Sequence, residues 1–346
     1  MRPEEVRNTP MASFRFIDLF AGIGGIRTAF ERAGGECVFS SEWDKFAQQT
    51  YEANFGEKPF GDICQIAGPE RSDDYIDENI PDHDVLTGGF PCQPFSLAGV
   101  SKKNSLGRKH GFEDETQGTL FFDIARILKV KRPKAFFLEN VKNLKGHDKG
   151  NTFAVIMNTL KNDLEYTVKS CIVDAEKWLP QHRERIFIVG YDPEQVDGIT
   201  EENILIPKEP SSAYKYPQLN QIIQKEAPQK YTLGPGTWDT LERHKAHHKA
   251  KGNGFGYGLH KRPISKDEVT RTISARYHKD GAEILIETDE PRPRRLTIPE
   301  AMQLQGFDPA SFNFPVSDTQ AYRQIGNSVA IPAVAETAKK IELMLR

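Results

Sequence analysis

From Phe14 to Tyr191 short apolar runs alternate with stretches of helical periodicity, and few architectures accept that pattern. "FRFIDLF", "GECVFSSEWD", "DHDVLTGGF", "KAFFLENV", "YTVKSCIVDA" and "RERIFIVGYD" read as strands. Between them "IRTAFERAGG", "DKFAQQTYEANFG", "GTLFFDIARILKVKRP" and "TFAVIMNTLKNDL" read as helices, the second ending at Gly56 and the third stopped before Pro133. Strands joined through helices become parallel neighbours. The expected fold class is therefore α/β, a doubly wound, mostly parallel sheet with helices on both faces.

After Tyr191 the texture changes. "YKYPQLN", "LGPGTW" and "HKAHHKAKGNGFGYG" are rich in Pro, Gly and His with little helical periodicity, and β-branched alternation returns only near "EVTRTISARYHKDGAEILIE". The last helix, "IPAVAETAKKIELMLR", sets Ile331, Val334, Ala338, Ile341 and Leu345 on one face and belongs on the first domain's sheet. The expected division is 12–195 plus 318–346 for the larger domain, 196–317 for a smaller strand-containing domain, and 1–11 for an N-terminal tail.

Composition removes several classes. At 38% hydrophobic and 27% charged residues the 346-residue chain lies far from the composition of disorder. No run approaches the ~18 apolar residues of a membrane helix, and "MRPEEVRNTPMAS" has no apolar signal core. Cys37, Cys64, Cys92 and Cys171 form no C-x-x-C pair, so reduced thiols, no metal site and a cytoplasmic location are expected. The net charge of −3 hides a basic stretch: Leu241 to Lys279 holds ten Lys/Arg against three Asp/Glu, a net +7, with five histidines. Such a run is either a solvated face or the footprint of a polyanion.

"DLFAGIGG" follows the first strand and opens the first helix, with Gly22, Gly24 and Gly25 in place of a full G-x-G-x-x-G. It is a tight turn or a loop whose backbone approaches a ligand at a helix N-terminus. The end of the second strand favours the ligand. In doubly wound sheets an acidic residue there accepts from ribose hydroxyls, which suits Glu42. Trp43 could stack on an adenine and Asp62 could receive its amino group; the bland alternatives are a core tryptophan and a capping aspartate.

These segments, with "GFPCQPFS", "LENV", "QHRERIFIVG", "RRLTIPEAMQLQGF" and "QIGNSVAIPA" following in that order, resemble the DNA (cytosine-5)-methyltransferase family over residues 14 to about 333. The resemblance implies a Rossmann-like methyltransferase fold that binds S-adenosylmethionine and releases S-adenosylhomocysteine, with a target-recognition domain inserted before "RRLTIPEAMQLQGF". By motif, Phe20, Ala21, Gly22 and Gly24 line the cofactor, Glu42 holds its ribose, and Trp43, Asp62 and Ile63 surround its adenine. Leu120, Asn327, Ser328 and Val329 complete the pocket. The family habit is a monomer acting on double-stranded DNA in the nucleoid, with a restriction endonuclease for the same site as a partner and host-DNA protection as the purpose. "KGNGFGYG" with "SARYHKDGAEILI" is similar to Dcm-type enzymes.

Carbon 5 of cytosine takes a methyl group only after a thiolate adds at carbon 6, which suits Cys92, held in a stiff loop by Pro91 and Pro94. Glu139 in "LENV" matches the family's acid for ring nitrogen 3, and burial should raise its pKa. In the family pattern Arg185 contacts the cytosine's exocyclic oxygen and Arg183 supports the site near the phosphate and the catalytic loop. The target base must leave the stack. The polar segment after the cysteine, "SLAGVSKKNSLGRKHGFEDETQ", suits a loop closing on DNA. Gln93, Ser96, Lys251, Arg271, Arg276 and Tyr277 are the candidate DNA-binding residues. Competing readings are a tRNA cytosine-5 methyltransferase, a DNA-binding protein on a decayed scaffold, a Rossmann oxidoreductase and a cysteine hydrolase.

Overall fold

The structure, a computed structural model, describes residues 12–91, 120–252 and 256–346. Its first part runs β1 (Phe14–Leu19), α1 (Gly25–Arg32), β2 (Gly35–Ser41), α2 (Lys45–Phe55), α3 (Cys64–Ala67), α4 (Asp73–Asn79), β3 (Val85–Gly89), α5 (Leu120–Lys131), β4 (Ala135–Val141), α6 (Asn151–Asn158), β5 (Thr167–Asp174) and β6 (Glu184–Tyr191). These six strands form one sheet in the order β2-β1-β3-β4-β6-β5. The first four are mutually parallel, and β6 runs antiparallel to both of its neighbours.

Apolar runs in the sequence become strands buried on both faces. Phe14, Phe16, Val85, Phe137, Phe187 and Val189 point into one core, and Ile17, Leu19, Leu86, Phe136, Leu138, Ile186 and Ile188 into the other. The first core is closed by α1 together with the last helix of the chain. The second takes α3, α4, α5 and α6. Asp44 caps α2 by accepting from the amides of Phe46 and Ala47, and Gly56 ends that helix in the left-handed region.

The remaining elements are α7 (Leu219–Ile222), α8 (Pro235–Ala250), β7 (Leu259–His260), β8 (Leu285–Ile286), β9 (Arg294–Arg295), α9 (Ile298–Gln303), α10 (Asp318–Asn327) and α11 (Ile331–Leu345). The short strands make a second sheet, β7-β8-β9. Helix α11 packs on α1 through Ile331, Val334, Ala338 and Ile341, with Leu345 partly buried beside them, as the periodicity indicates.

Two expectations change. Helix α8 lies where the sequence shows little helical periodicity, because Leu241 is its one buried residue and no apolar stripe exists to be read. Pro235 at its start, helix-favouring residues along its length and His247, His248 and Lys249 in its last turn make it a helix nonetheless. The edges of the smaller domain also blur. Val196, Ile199, Ile204, Leu219, Leu296, Leu304 and Phe307, all within 196–317, belong to the same apolar cluster as Phe16 and Phe137. What is private to the small sheet is a minor core of Leu233, Leu241 and Leu285.

A buried ion pair fastens these pieces. The Arg294 guanidinium donates to both Glu300 oxygens at 2.8 Å, and Glu300 also accepts from the amides of Thr297 and Gln224, each at 2.7 Å. Side-chain exposure is 3% and 0% for the two. Glu300→Ala strands a buried cation, so unfolding free energy should fall by about 3–5 kcal/mol in urea titrations. A loss under about 1 kcal/mol, the range of exposed pairs, would contradict the role given to this pair. Among the described residues no helix is long and apolar enough to cross a membrane.

Candidate active site

The turn from β1 into α1 is wound tightly: Phe20, Gly22 and Gly24 all have positive φ, at 56°, 57° and 80°. For a residue as bulky as Phe20 that conformation costs about 1–3 kcal/mol, and such strain gathers at ligand sites. Gly24 is fixed by packing, since a Cβ there would lie 2.2 Å from the Phe55 ring. Glu42, at the end of β2, accepts from the Gly22 amide at 2.8 Å and the Asp44 amide at 2.7 Å, one on each oxygen. It thereby ties the glycine turn to the start of α2. Burial raises its pKa, against the pull of those two amides.

Beneath the turn lies Asp18, fully buried, accepting from Thr87 Oγ1 at 3.2 Å and the Arg27 amide at 3.3 Å. Burial pushes its pKa up to about 7. The folded chain thus keeps a proton that the unfolded chain releases near pH 4, so the stability contributed by Asp18 is full below that pH and is lost as pH rises through about 7. Relative to Asp18→Asn, the wild type should lose on the order of 4 kcal/mol of unfolding free energy between pH 4 and 8. Urea midpoints taken across that range check this; a constant gap between the two proteins would contradict it.

These residues open onto a cavity of about 670 Å³ at the carboxyl edge of the parallel strands. Phe20, Ala21, Gly22, Glu42, Trp43, Asp62, Ile63, Leu120, Asn327, Ser328 and Val329 all line it. Gly24 does not: its place is against Phe55. Trp43 is 76% exposed, an indole left uncovered at the wall. Asp62 accepts from the Cys64 amide at 3.0 Å, which leaves it further lone pairs. Gln324 Nε2 and Ser328 Oγ, on two residues of the same wall, are buried without a hydrogen-bond partner among the described residues. Orphaned donors beside an exposed indole and carboxylates with spare acceptor capacity fit a nucleoside-bearing ligand.

The other end of the cavity is carboxyl and guanidinium. Because β6 runs against β4, Val141 pairs with Arg185 and Glu139 with Phe187, so Arg185 and Glu139 are diagonal neighbours on one face. Arg185 Nε lies 3.0 Å from Glu139 Oε1, and both line the cavity. Burial raises the Glu139 pKa even though Arg185 and Arg183 pull it down. Asn140 donates to the Phe90 carbonyl at 2.8 Å, holding the strand that carries Glu139 to the residues that lead into Cys92. Pro91 lines the cavity; Cys92, Gln93, Ser96 and the polar segment that follows lie outside the described residues.

Arg183, expected to support the site near the phosphate and the catalytic loop, does not face the cavity. Its side chain is 1% exposed and lines no part of the cavity, being turned inward to the carbonyls of Ile273, Gly326 and Ser328. Tyr277 also departs: it is fully buried, its hydroxyl donating to Ile284 O and accepting from the Leu296 amide, so it cannot read a base. Lys251, Arg271 and Arg276 are exposed, and Arg271 also donates to Gly256 O. Arg243, Lys245 and Lys249 of the basic stretch lie on the solvated surface of α8.

Gln324, Asn140 and Cys64 also belong to the wall. Gln324 opens "QIGNSV" and accepts from Thr50 Oγ1 at 2.8 Å; Asn140 adjoins Glu139; Cys64 donates its thiol to Asp123 at 3.2 Å. The first two sit inside quoted motifs. Nothing local marks Cys64. Outside the cavity, Asp174, Glu176 and His182 bring ligand-type atoms within 4.8 Å of one another. His182 Nδ1 is 2.6 Å from Asp174 Oδ2 at the surface, a close polar contact between two side chains.

The sheet and its cavity define an α/β protein with a polar-walled pocket and a buried acid at the carboxyl edge of its strands, where ligands collect in this architecture. A family model of C-5 cytosine-specific DNA methylases matches residues 14–343, and the chain belongs to that family. It is 48% identical to the DNA-cytosine methyltransferase of Escherichia coli strain K12, covering 98% of this chain and 80% of that protein. Identity to the Type II methyltransferase M.SsoII of Shigella sonnei is 49%, over 96% and 81%. A mutant of Spodoptera frugiperda DNMT2 shares the fold, with a TM-score of 0.68 at 20% identity over 94% of this chain and 99% of that one.

Proposed function

We propose that the chain transfers a methyl group from S-adenosylmethionine to carbon 5 of a cytosine flipped out of double-stranded DNA, and protects DNA in a restriction-modification setting. The observation that carries this is the joining, in one cavity, of the Glu42, Trp43 and Asp62 wall with the Glu139 and Arg185 pair. The cofactor, when bound, supplies an electrophilic methyl group. Glu42 would hold its ribose, Trp43 and Ile63 its adenine, Asp62 the adenine amino group, and Ser328 and Gln324 further polar atoms.

The rest belongs to the chain's own residues. The Cys92 thiolate adds to carbon 6 of the target base, which moves electron density onto carbon 5. Glu139, kept protonated further up the pH scale by burial, gives its proton to ring nitrogen 3 as the thiolate adds, and Arg185 holds the acid in place while offering N–H groups to the exocyclic oxygen. Lys251, Arg271 and Arg276 meet phosphates or bases of the duplex. The names of the Escherichia coli and Shigella sonnei relatives, a DNA-cytosine methyltransferase and a Type II methyltransferase, favour DNA and the restriction-modification setting. Incubating the protein with methyl-labelled cofactor and either duplex DNA or tRNA tests this: label should enter DNA alone, and label in tRNA would move the activity to RNA.

A further inference from the structure

Arg183 is a buried cation whose acceptors among the described residues are all backbone carbonyls. Nη1 donates to Ile273 O at 2.9 Å, and Nη2 donates to Gly326 O at 3.0 Å and to Ser328 O. Burying a guanidinium without a carboxylate hydrogen-bonded to it is costly. Its acceptors are informative. Ile273 lies between the exposed Arg271 and Arg276, on the stretch read as facing DNA. Gly326 and Ser328 line the cofactor wall.

The surrounding contacts are built for contact without slack. Residues 180–183 run alongside 270–273: the Thr270 amide donates to Pro180 O at 2.9 Å, the His182 amide to Thr270 O at 2.8 Å, and the Ile273 amide to Gln181 Oε1 at 2.8 Å. Gly326 meets the next residue directly, since a Cβ at 326 would lie 2.3 Å from the Ser274 carbonyl. Arg183 itself is anchored on the main sheet, where its amide donates to Asp174 Oδ1 at 2.9 Å. A shift of the 271–276 stretch therefore meets the guanidinium fork and the 326–328 backbone together.

The geometry points to Arg183 as a positioning residue that couples the two sites, so that duplex DNA held by the 271–276 stretch tightens the cofactor pocket through the Ile273, Gly326 and Ser328 carbonyls. This rests on the methyltransferase reading above. Coupling of this kind is reciprocal and typically changes affinity by about 5- to 150-fold. Lysine keeps the charge but replaces a planar fork of fixed donors with a single ammonium that cannot hold the same three carbonyls.

The test is binding of S-adenosylhomocysteine by calorimetry, with and without unmethylated plasmid duplex, to the wild type, Arg183→Lys and Gly326→Ala. The wild type should bind more tightly with the duplex present, by a factor in that range. In both variants the ratio should collapse toward one. A merely structural role would weaken binding with and without DNA alike and leave the ratio intact, which would overturn the inference, as would a wild-type ratio of one. If Arg183→Lys fails to fold, Gly326→Ala decides, since it strains the same contact from the other side. Failure of the wild type to bind the compound at all would instead sink the methyltransferase reading.

Discussion

Glu139→Gln should lower methyl transfer to DNA by about 10²- to 10⁴-fold, the usual worth of a placed proton donor, with little change in cofactor affinity. Glutamine fills the same space beside Arg185 and can still hydrogen-bond the base, but it has no proton to give to ring nitrogen 3. The sign of the pH response follows from the same burial. The Glu139 pKa is raised, so the protonated form persists above the ordinary carboxyl range and is lost as pH rises through the shifted value. The descending limb that Glu139 contributes to the wild-type profile should be absent from the residual activity of the variant. Single-turnover rates across pH would show it, and an unchanged rate at neutral pH would remove Glu139 from the chemistry.

Cys92→Ala should do more, lowering methyl transfer by at least about 10⁴-fold, because it removes the nucleophile on which every later step depends. Cofactor affinity should persist, since the substitution leaves Glu42, Trp43 and Asp62, the residues that would hold the cofactor, unchanged. The two variants are not expected to add. With no thiol to attack carbon 6 there is no developing charge for Glu139 to neutralise, so the double variant should be as slow as Cys92→Ala alone. Retained methylation in Cys92→Ala would replace the addition mechanism with direct transfer.

Much of the cavity wall is legible in the sequence because each part has a local cause. Apolar runs mark β1 to β6, a glycine-rich turn follows β1, and an acidic residue ends β2. The meeting of Glu139 with Arg185 was legible only through the family pattern. What brings them together is the reversal of β6, a fact of topology that no residue near "QHRER" announces. The place of Tyr277 is not legible, because an aromatic among basic residues suits a base reader and a core residue equally; its buried hydroxyl, satisfied by Ile284 and Leu296, decides. For Arg183 the motif identified the residue but not its direction. Whether an arginine points at a phosphate or at three carbonyls depends on Gly326 and Ser328, 143 and 145 residues away. Helix α8 is not legible in the sequence, since a helix with one buried residue leaves no periodic trace.

The central claim, that this chain methylates carbon 5 of cytosine in duplex DNA at particular sites, is tested most directly by bisulfite sequencing of DNA from cells without other cytosine methyltransferases, expressing either the wild type or Cys92→Ala. The expected result is a set of protected cytosines sharing one short sequence context with the wild type and none with Cys92→Ala. No protected cytosines with a soluble, cofactor-binding wild type, or the same protected set with Cys92→Ala, would contradict it.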